Sequence, residues 1–323
     1  MCQLSVVIVN YKVPYFLLQC LDAVQRAAVG LDCEVMVVDN DSQDGSEQLV
    51  ARYFPSVTYI ANEQNEGFAK ANNKAIARAK GKYVLLLNPD TIIAEDTLQQ
   101  VCHFADHAPD FGALGVRMID PNGRFLPESK RGLPTIANAL CKMLHLPYCG
   151  KNDYYCTQVQ EHQVGVVPVL AGAFMLLNKQ ALGDATLLDE RYFMYGEDID
   201  LSYAVTLAGY KNYYFPTTIL HYKGESTVYD AKYMRNFYGA MQLFYQKYHG
   251  KGLVNSLLKL QTRCMVCVGK WRGVKAAMPD ERETVMLSTT QYDYAAIIDY
   301  IAQNKGEKRV VIEHPTFQCS VQP

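Results

Sequence analysis

The sequence predicts an α/β fold with a mainly parallel sheet and helices on both of its faces. Short apolar runs alternate with amphipathic segments through the first half of the chain. In such a series, each strand–helix–strand unit joins two parallel strands through a crossover helix. The run at residues 83–87 is apolar throughout, which is typical of a strand that is buried on both faces of a parallel sheet.

The predicted elements of the first half follow one another in a regular order. The helix at 15–28 places Leu17, Leu21, Val24 and Ala28 on one face, as the helical period requires. The predicted strands are 4–9, 35–38, 57–61, 83–87 and 113–116. The predicted helices are 15–28, 44–53, 68–79 and 94–105.

The regular alternation stops near residue 118 and returns near residue 166. The stretch between them is rich in proline, tyrosine, cysteine and basic residues, as expected of a long insertion over a binding face. Beyond it, the sequence predicts strands at 166–170, 173–177, 210–215 and 218–220. It also predicts a helix from Glu197 to a stop at Gly209. We assign residues 1–230 to this first domain.

The last third divides into two segments. Residues 231–279 contain nine Lys or Arg, no Asp or Glu, and interleaved aromatic residues. This composition is typical of basic amphipathic helices on an anionic membrane surface, although a solvated basic face on packed helices is the alternative. Residues 280–323 predict a strand at 284–288, a helix at 292–304 and a strand at 309–313. This βαβ unit is too short to be stable alone, so we expect it to dock on the main body or on another subunit.

Composition also limits the class of function. The net charge of −2 gives no general reason for nucleic-acid binding, and no nucleic-acid motif accompanies the basic segment. The start of the chain does not resemble a signal sequence, and no apolar run approaches the ~20 residues of a membrane span. The ten cysteines are scattered, so we interpret them as reduced thiols of a cytoplasmic protein. Cys264 and Cys267 form a single CxxC pair, for which we favour a structural role.

A carboxylate follows the buried strand at 83–87. Asn88-Pro89-Asp90 breaks this strand, and ligands of open α/β sheets bind at the carboxyl ends of the strands. Asp90 is therefore suited to holding a hard divalent cation against a diphosphate. The alternative is a turn at Asp90 and Thr91 that caps the helix at 94–105.

Two further motifs indicate a nucleotide site. Asp39 follows the strand at 35–38, where it can accept a hydrogen bond from a base or ribose, or serve as an N-cap or in an Asx turn. Residues 62–73 lead from a strand into a helix whose first N–H groups can face an anion. This loop is neither a GxGxxG fingerprint nor a P-loop, which argues against dinucleotide and P-loop proteins.

Acidic residues open the helix after residue 196. Glu197, Asp198 and Asp200 suit the positive end of the helix dipole. A carboxylate with aromatic neighbours is also a reasonable general base for a sugar hydroxyl. His221 follows the strand at 218–220 and opens a glycine-containing loop. Both a structural role and a ligand role are open for this histidine.

Seven blocks of sequence together resemble the family-two glycosyltransferases of GT-A fold, a Rossmann-like α/β architecture. In chain order they are VVIVNYK, VVDNDS, NEGFAKANN, LLLNPDT, GAFMLLN, LLDERYFMYGEDIDL and ILHYKGEST. The closest resemblance is to the rhamnosyltransferase-like branch that builds bacterial surface polysaccharides. It covers about residues 4–227 and does not extend through the C-terminal third. It implies a nucleotide-diphosphate sugar donor, a divalent metal (Mg or Mn) and inversion at the anomeric carbon.

The resemblance also implies roles for individual residues. Those that would hold the donor nucleotide are Val9, Tyr11, Asp39, Asn65, Gly67, Asn72 and Asn88. Asp90 and His221 would bind the metal. Asp198 would deprotonate the acceptor, with Glu197 beside it. Family members often carry Asp-x-Asp where this chain has Asn88-Pro89-Asp90, which suggests weaker or more substrate-dependent metal binding.

We therefore predict an inverting, metal-dependent glycosyltransferase at the cytoplasmic membrane face, with a glycan or lipid-linked glycan acceptor and rhamnose as one candidate sugar. A sugar nucleotidyltransferase is one alternative, but it would need a glycine-rich basic loop after the first strand. A non-catalytic nucleotide-sugar-binding subunit of an assembly complex is another, and Glu197-Asp198 beside Asp90 and His221 argues against it. We expect no nucleic-acid partner, and a homo-oligomer stays open.

Overall fold

The computed structural model describes residues 3–134, 154–223, 231–250, 282–317 and 319–321. The strands, in chain order, are β1 (Leu4–Asn10), β2 (Cys33–Asp39), β3 (Thr58–Ala61), β4 (Tyr83–Leu87), β5 (Thr91–Ile92), β6 (Phe111–Ile119), β7 (Lys130–Arg131), β8 (Gly165–Val166), β9 (Val169–Leu170), β10 (Phe174–Asn178), β11 (Lys211–His221), β12 (Thr284–Ser288), β13 (Arg309–His314) and β14 (Cys319–Val321). The helices are α1 (Pro14–Ala27), α2 (Ser46–Tyr53), α3 (Phe68–Ile76), α4 (Thr97–His107), α5 (Lys179–Leu182), α6 (Glu197–Leu207), α7 (Ala231–His249) and α8 (Tyr294–Asn304). Short 3₁₀ helices lie at Pro127–Ser129, Gly183–Thr186 and Pro315–Phe317.

A nine-stranded sheet organises the main body, with the strand order β3-β2-β1-β4-β10-β6-β11-β5 and β8 paired to β11. The pairs of β1 with β2 and β4, of β2 with β3, and of β6 with β11 are parallel. β10 runs antiparallel between β4 and β6. The predicted α/β class with a mainly parallel sheet is therefore confirmed.

Both faces of the sheet are covered, as the apolar strand patterns require. In β1, Leu4, Val6 and Ile8 pack into one hydrophobic cluster, to which α1, α4 and α8 contribute. Val7 and Val9 pack into the other, together with α3 and α6. The polar Asn10 ends β1 next to Asp39, the last residue of β2.

The chain after Asp90 differs from the predicted capping turn. Thr91 and Ile92 form β5, which pairs antiparallel with the end of β11. α4 begins only at Thr97, with Asp96 at its N-cap. The alternative in which Asp90 and Thr91 cap this helix is therefore wrong, because β11 offers a backbone partner to the segment directly after Asp90.

Two prolines explain why the observed strand boundaries differ from the predicted ones. Residues 210–215 and 218–220 belong to one strand, β11, with an irregularity between Phe215 and Thr218. Pro216 lies in this irregularity, since it has no N–H for the ladder. Conversely, the predicted strand at 166–170 splits at Pro168 into β8 and β9, which pair with β11 and β7.

The C-terminal βαβ unit docks on the main body, which was one of the two predicted outcomes. Tyr294 Oη donates a hydrogen bond to Asp22 Oδ2 at 2.8 Å. The carboxylate of Glu95 accepts the N–H groups of Tyr294 and Ala295 at 2.8 and 3.0 Å, which caps the start of α8. The unit also has a third strand, β14, that was not predicted. The division of the chain at 230 and 280 stays a prediction.

α7 is the described part of the predicted basic segment. Ala240, Phe244 and Tyr245 are buried. Lys247 Nζ lies 2.7 Å from Asp200 Oδ2 and 2.9 Å from Asp189 Oδ2. This lysine therefore holds α7 against the main body. Residues 251–279, with Cys264 and Cys267, lie outside the described residues. Within the described ranges, none of the helices has the length and apolar character that crossing a bilayer would require.

Candidate functional site

The carboxyl ends of β1, β2 and β3 are tied together around Asp39. Asn10 Nδ2 donates to Asp39 Oδ1 at 2.7 Å. The backbone N–H groups of Asn40 and Asn62 donate to the carbonyls of Asn10 and Asp39, each at 2.9 Å. Ser42 donates both its N–H and its hydroxyl to the Asp39 carboxylate, so the Asx-type turn is present. These contacts fix the buried carboxylate at the end of β2.

The residues around Asp39 differ in how far they are buried. Tyr11 is half-buried, and Lys12 Nζ lies 5.1 Å from the centroid of its ring. Val9, by contrast, is buried in the core cluster under the strand end. Burial, and then the negative charge of Asp39, holds the pKa of Tyr59 well above its usual range. Sequence reasoning missed Asn10 and Tyr59 as partners of Asp39.

The loop before α3 lies against the loop that leads to Glu197. Asn40 Nδ2 donates to Gly67 O at 3.1 Å, and Asn65 Oδ1 accepts the N–H of Gly67 at 3.0 Å. The N–H of Phe68 donates to Phe193 O at 2.7 Å. The segment predicted to line the donor pocket therefore also supports the acidic segment.

Asn72 lies inside α3 rather than at a surface. Its side chain is 1% exposed, and Nδ2 donates to Phe68 O at 2.9 Å. In this position the Asn72 side chain stabilises the start of the helix, and its contact with the donor stays a prediction. Asn88 is half-buried, and its N–H donates to Ala173 O at 2.9 Å, which joins the end of β4 to the segment before β10.

Gly67→Ala should destabilise the fold more than Gly30→Ala. Gly67 has φ +87° and ψ 170°, a conformation that is almost restricted to glycine. An added Cβ would lie 2.6 Å from Phe193 O, whereas at Gly30, with φ +85°, nothing lies within 4 Å. We expect a loss of about 3 kcal/mol for G67A and about 1 kcal/mol for G30A in denaturant unfolding. Equal losses would mean that the close approach of the added Cβ to Phe193 O does not lower the free energy of unfolding.

Asp90 and His221 lie side by side. The 3.4 Å between Asp90 Oδ1 and His221 Nε2 results from the β5–β11 pairing, which sets Thr91 opposite His221. Both side chains are largely buried, and His221 Nδ1 has no hydrogen-bond partner among the described residues. A carboxylate oxygen beside an imidazole nitrogen suits a divalent cation. Among the described residues, no group of three or more His, Cys, Asp or Glu side chains is arranged to hold a metal ion.

Asp198 forms an ion pair with Arg131, which sequence reasoning missed. Gly196 adopts φ +81° at the N-cap of α6, which then begins with Glu197. Arg131 Nη2 lies 2.5 Å from Asp198 Oδ2 and 3.1 Å from Leu170 O. Gly172 N also donates to Asp198 Oδ2, at 3.3 Å. These contacts hold the Asp198 carboxylate in one orientation. The only indication of them in the sequence is the basic pair Lys130-Arg131 in the insertion.

Glu197 is in a different environment from its neighbour. It is 8% exposed, and its buried Oε2 has no hydrogen-bond partner within the part of the chain that the structure describes. Burial, and then the charge of Asp198, raises the pKa of Glu197 to about 8. Glu197 therefore carries a proton at neutral pH, whereas the charge of Asp198 is compensated by Arg131.

Glu197 should make the protein less stable as the pH rises. Its pKa of about 8 lies above the ordinary value of 4.5, so the folded state binds the proton more tightly than the unfolded state. Between about pH 5 and pH 8 this contribution lowers the free energy of unfolding by about 1 kcal/mol per pH unit, and it is constant above that range. The melting temperature of Glu197→Gln should therefore change less with pH across this range than that of the wild type.

The exposed Glu307 provides the control for this pH dependence. Glu307→Gln should keep the wild-type slope. If Glu197→Gln also kept it, the carboxyl group of Glu197 would be ionised throughout the range.

Sequence comparison gives a family for this site. Residues 5–184 match the family model described as Glycosyl transferase family 2. The N-acetylglucosaminyl-diphospho-decaprenol L-rhamnosyltransferase of Mycobacterium tuberculosis is 30% identical over 208 residues, which cover 60% of this chain and 67% of that protein. The poly-beta-1,6-N-acetyl-D-glucosamine synthase of Staphylococcus aureus is 26% identical over 188 residues, with coverages of 57% and 41%.

Solved structures agree on the architecture. The mannosyltransferase PcManGT from Pyrobaculum calidifontis aligns with a TM-score of 0.55 at 18% identity, covering 83% of this chain and 72% of that one. Staphylococcus aureus TarS aligns with a TM-score of 0.53 at 19% identity, covering 82% and 43%. These similarities confirm the predicted GT-A fold. With the rhamnosyltransferase relative and the matched family model, they show that this chain belongs to glycosyl transferase family 2.

Proposed function

We propose that this glycosyltransferase moves a sugar from a nucleotide-diphosphate donor to a hydroxyl of a lipid-linked or polysaccharide acceptor, with inversion. The proposal rests on one hydrogen bond, from Phe68 N to Phe193 O, which joins the loop before α3 to the loop that leads to Glu197. This bond connects the surroundings of Asp39 with the Glu197-Asp198 pair. The acceptor class is supported by the printed name of the mycobacterial relative, whose substrate is lipid-linked through a diphosphate.

The donor would bind along the strand ends. Asp39 and Tyr11 would hold the nucleoside, with Asn65, Gly67 and Asn88 beside the sugar diphosphate. Asp90 and His221 would hold a divalent cation, Mg or Mn, since their side-chain atoms lie 3.4 Å apart. When bound, such an ion neutralises charge on a leaving diphosphate. A pair of protein ligands leaves positions for diphosphate oxygens, in line with the single acid of Asn88-Pro89-Asp90.

The acidic pair would act on the acceptor. Asp198 takes the proton of the attacking hydroxyl, and Arg131 holds the carboxylate in orientation through the 2.5 Å contact. Glu197, which is protonated at neutral pH because its pKa is about 8, does not compete for that proton. Its buried carboxyl group lies beside the base without taking up the acceptor proton. The two neighbouring carboxyl groups thus differ in their state of protonation.

A donor panel tests the proposed function. Sugar nucleotides of UDP, GDP and dTDP, including rhamnose donors, should be measured for thermal stabilisation with and without Mn²⁺ and for transfer to glycan acceptors. A true donor should raise the melting temperature by mass action and lose its sugar to the acceptor. Binding without transfer to any acceptor would favour a binding subunit. Formation of a sugar nucleotide from a nucleoside triphosphate would favour a nucleotidyltransferase.

We also propose that residues 231–279 contact an anionic membrane at the cytoplasmic face. The support is the excess of basic residues in this segment. Lys247 is committed to Asp189 and Asp200, so the contact would use other basic residues. The protein should float with vesicles that contain phosphatidylglycerol and not with pure phosphatidylcholine vesicles. Equal recovery from both would contradict the proposal.

A further inference from the structure

Lys12 follows β1 at the edge of the sheet where Asp39 and Asp90 lie. In the sheet, β1 lies between β2, which ends at Asp39, and β4. The register sets the last residue of β1 opposite Asp39, and Ile8 opposite Leu87, the last residue of β4. Neighbouring strands lie about 4.8 Å apart. A donor that extends from Asp39 to Asp90 therefore has to pass the end of β1.

The backbone of Lys12 is fixed beside Asp39. Its N–H donates to Ser42 Oγ at 2.9 Å, and this hydroxyl donates to Asp39 Oδ1 at 2.5 Å. Lys12 has φ +59°, a left-handed conformation that few residues other than glycine adopt, and it turns the chain from β1 toward α1. In α1, the ring of Phe16 packs edge to face on Tyr222, the residue after β11, with 4.8 Å between the centroids. The turn at Lys12 thus lies between the surroundings of Asp39 and the end of β11.

The charge of Lys12 is not compensated by a carboxylate. Its side chain is exposed, and its Nζ lies 5.1 Å from the centroid of the Tyr11 ring. Within the described ranges of the chain, no Asp or Glu lies at ion-pair distance from this ammonium group. Several other basic side chains of the loops around the site are paired: Lys70 and Lys74 with Glu66, Arg131 with Asp198, and Lys223 with Glu128. Lys12 is therefore available to an anionic ligand.

The proposed metal pair, Asp90 and His221, would give a divalent ion few charged ligands. Asn88-Pro89-Asp90 contains a single acid, and the affinity of a site for such an ion depends on the number of charged ligands. Diphosphate binding that depended on this ion alone would therefore be weak at low metal concentration. A lysine beside the diphosphate supplies a permanent positive charge that needs no metal.

We propose that Lys12 binds the diphosphate of the nucleotide-sugar donor, so that part of donor binding does not require a metal ion. The inference rests on the proposed function, in which Asp39 holds the nucleoside and Asp90 the cation. A lysine ammonium group binds phosphate as a point charge. It also offsets the negative charge that grows on the diphosphate as the sugar leaves.

Nucleotide binding in EDTA tests this role. UDP, GDP and dTDP are titrated into the full chain by calorimetry, and the diphosphate that binds most tightly is compared with its own nucleoside by saturation-transfer NMR. Lys12→Gln should weaken diphosphate binding about tenfold, because one charge-assisted contact is lost, and should leave nucleoside binding unchanged. Lys12→Arg, which keeps the charge, should restore most of the affinity.

Three results would overturn the proposal. The first is that no diphosphate binds to the wild type in EDTA. The second is that Lys12→Gln binds the diphosphate as tightly as the wild type. The third is an equal loss for the nucleoside, because Lys12 would then act through the neighbouring Tyr11 ring and not on the diphosphate.

Lys80→Gln is the matched control. Lys80 is exposed and precedes β4, so it lies at the opposite edge of the sheet, and this variant should bind the diphosphate as the wild type does. Transfer assays separate the inference from the proposed function. If the wild type transferred sugar to no acceptor while Lys12→Gln still weakened diphosphate binding, only the proposed function would fail. If transfer occurred and Lys12→Gln kept the wild-type KM for the donor, only the role of Lys12 would fail.

Discussion

Asp198→Asn is expected to lower kcat by about 10³-fold while donor binding changes little. Asparagine keeps the size of the side chain and an oxygen that can accept from Arg131 and Gly172, whose donors lie 2.5 and 3.3 Å away. It cannot take up the proton of the acceptor hydroxyl. Steady-state transfer measures kcat, and thermal stabilisation by the donor measures binding.

The exposed Asp184 offers a matched control, because its side chain lies at the surface. Asp184→Asn should retain wild-type transfer and stability. Asp198→Asn leaves a buried cation without its charged partner, so some loss of melting temperature is expected as well. Wild-type turnover in Asp198→Asn would refute the base assignment. Loss of donor binding with normal turnover at saturation would indicate that Asp198 binds the donor instead of acting as the base.

Two neighbouring acids acquire different properties from helix geometry. Successive residues of an α-helix point about 100° apart, since a turn contains about 3.6 residues. Glu197 therefore turns into the protein and loses its solvation, while Asp198 faces Arg131 from the insertion. A sequence shows two adjacent carboxylates, but the folded chain holds one protonated and one paired with a cation.

Strong local patterns made much of the sheet predictable. β4 was predicted with its observed bounds, because a run that is buried on both faces is apolar at every position. β5 and β14 were missed because they have two and three residues. Strands of that length carry no period, and they form only when another strand offers a backbone partner.

The candidate site residues that lie at the ends of strands were predictable from the sequence. Asp90 and His221 are far apart in the chain, yet Asp90 follows β4 and His221 ends β11, so both lie at one edge of the sheet. Arg131 was missed because its partner depends on how the insertion folds over the sheet. Val9 and Asn72 match family blocks, but the structure buries both side chains. A motif gives a position along the chain and leaves the direction of the side chain open.

Asp90→Asn is expected to reduce transfer by about 10²-fold or more and to abolish the part of donor stabilisation that depends on Mn²⁺. The amide keeps the volume of the buried side chain but removes the negative charge beside His221 Nε2. A divalent ion would then have a neutral imidazole and a neutral amide as protein ligands, which bind it weakly. The readout besides activity is the difference in melting temperature between UDP alone and UDP with Mn²⁺, repeated with GDP and dTDP.

Asp96→Asn is the matched control for this change. Asp96 is exposed at the N-cap of α4, where asparagine serves equally well, so activity and stability should stay at the wild-type level. Asp90→Asn should also keep the metal-independent stabilisation by the nucleotide, because the surroundings of Asp39 are unchanged. If Mn²⁺ stabilised the Asp90→Asn variant as much as the wild type, the ion would bind elsewhere. The 3.4 Å contact between Asp90 and His221 would then be a structural pair.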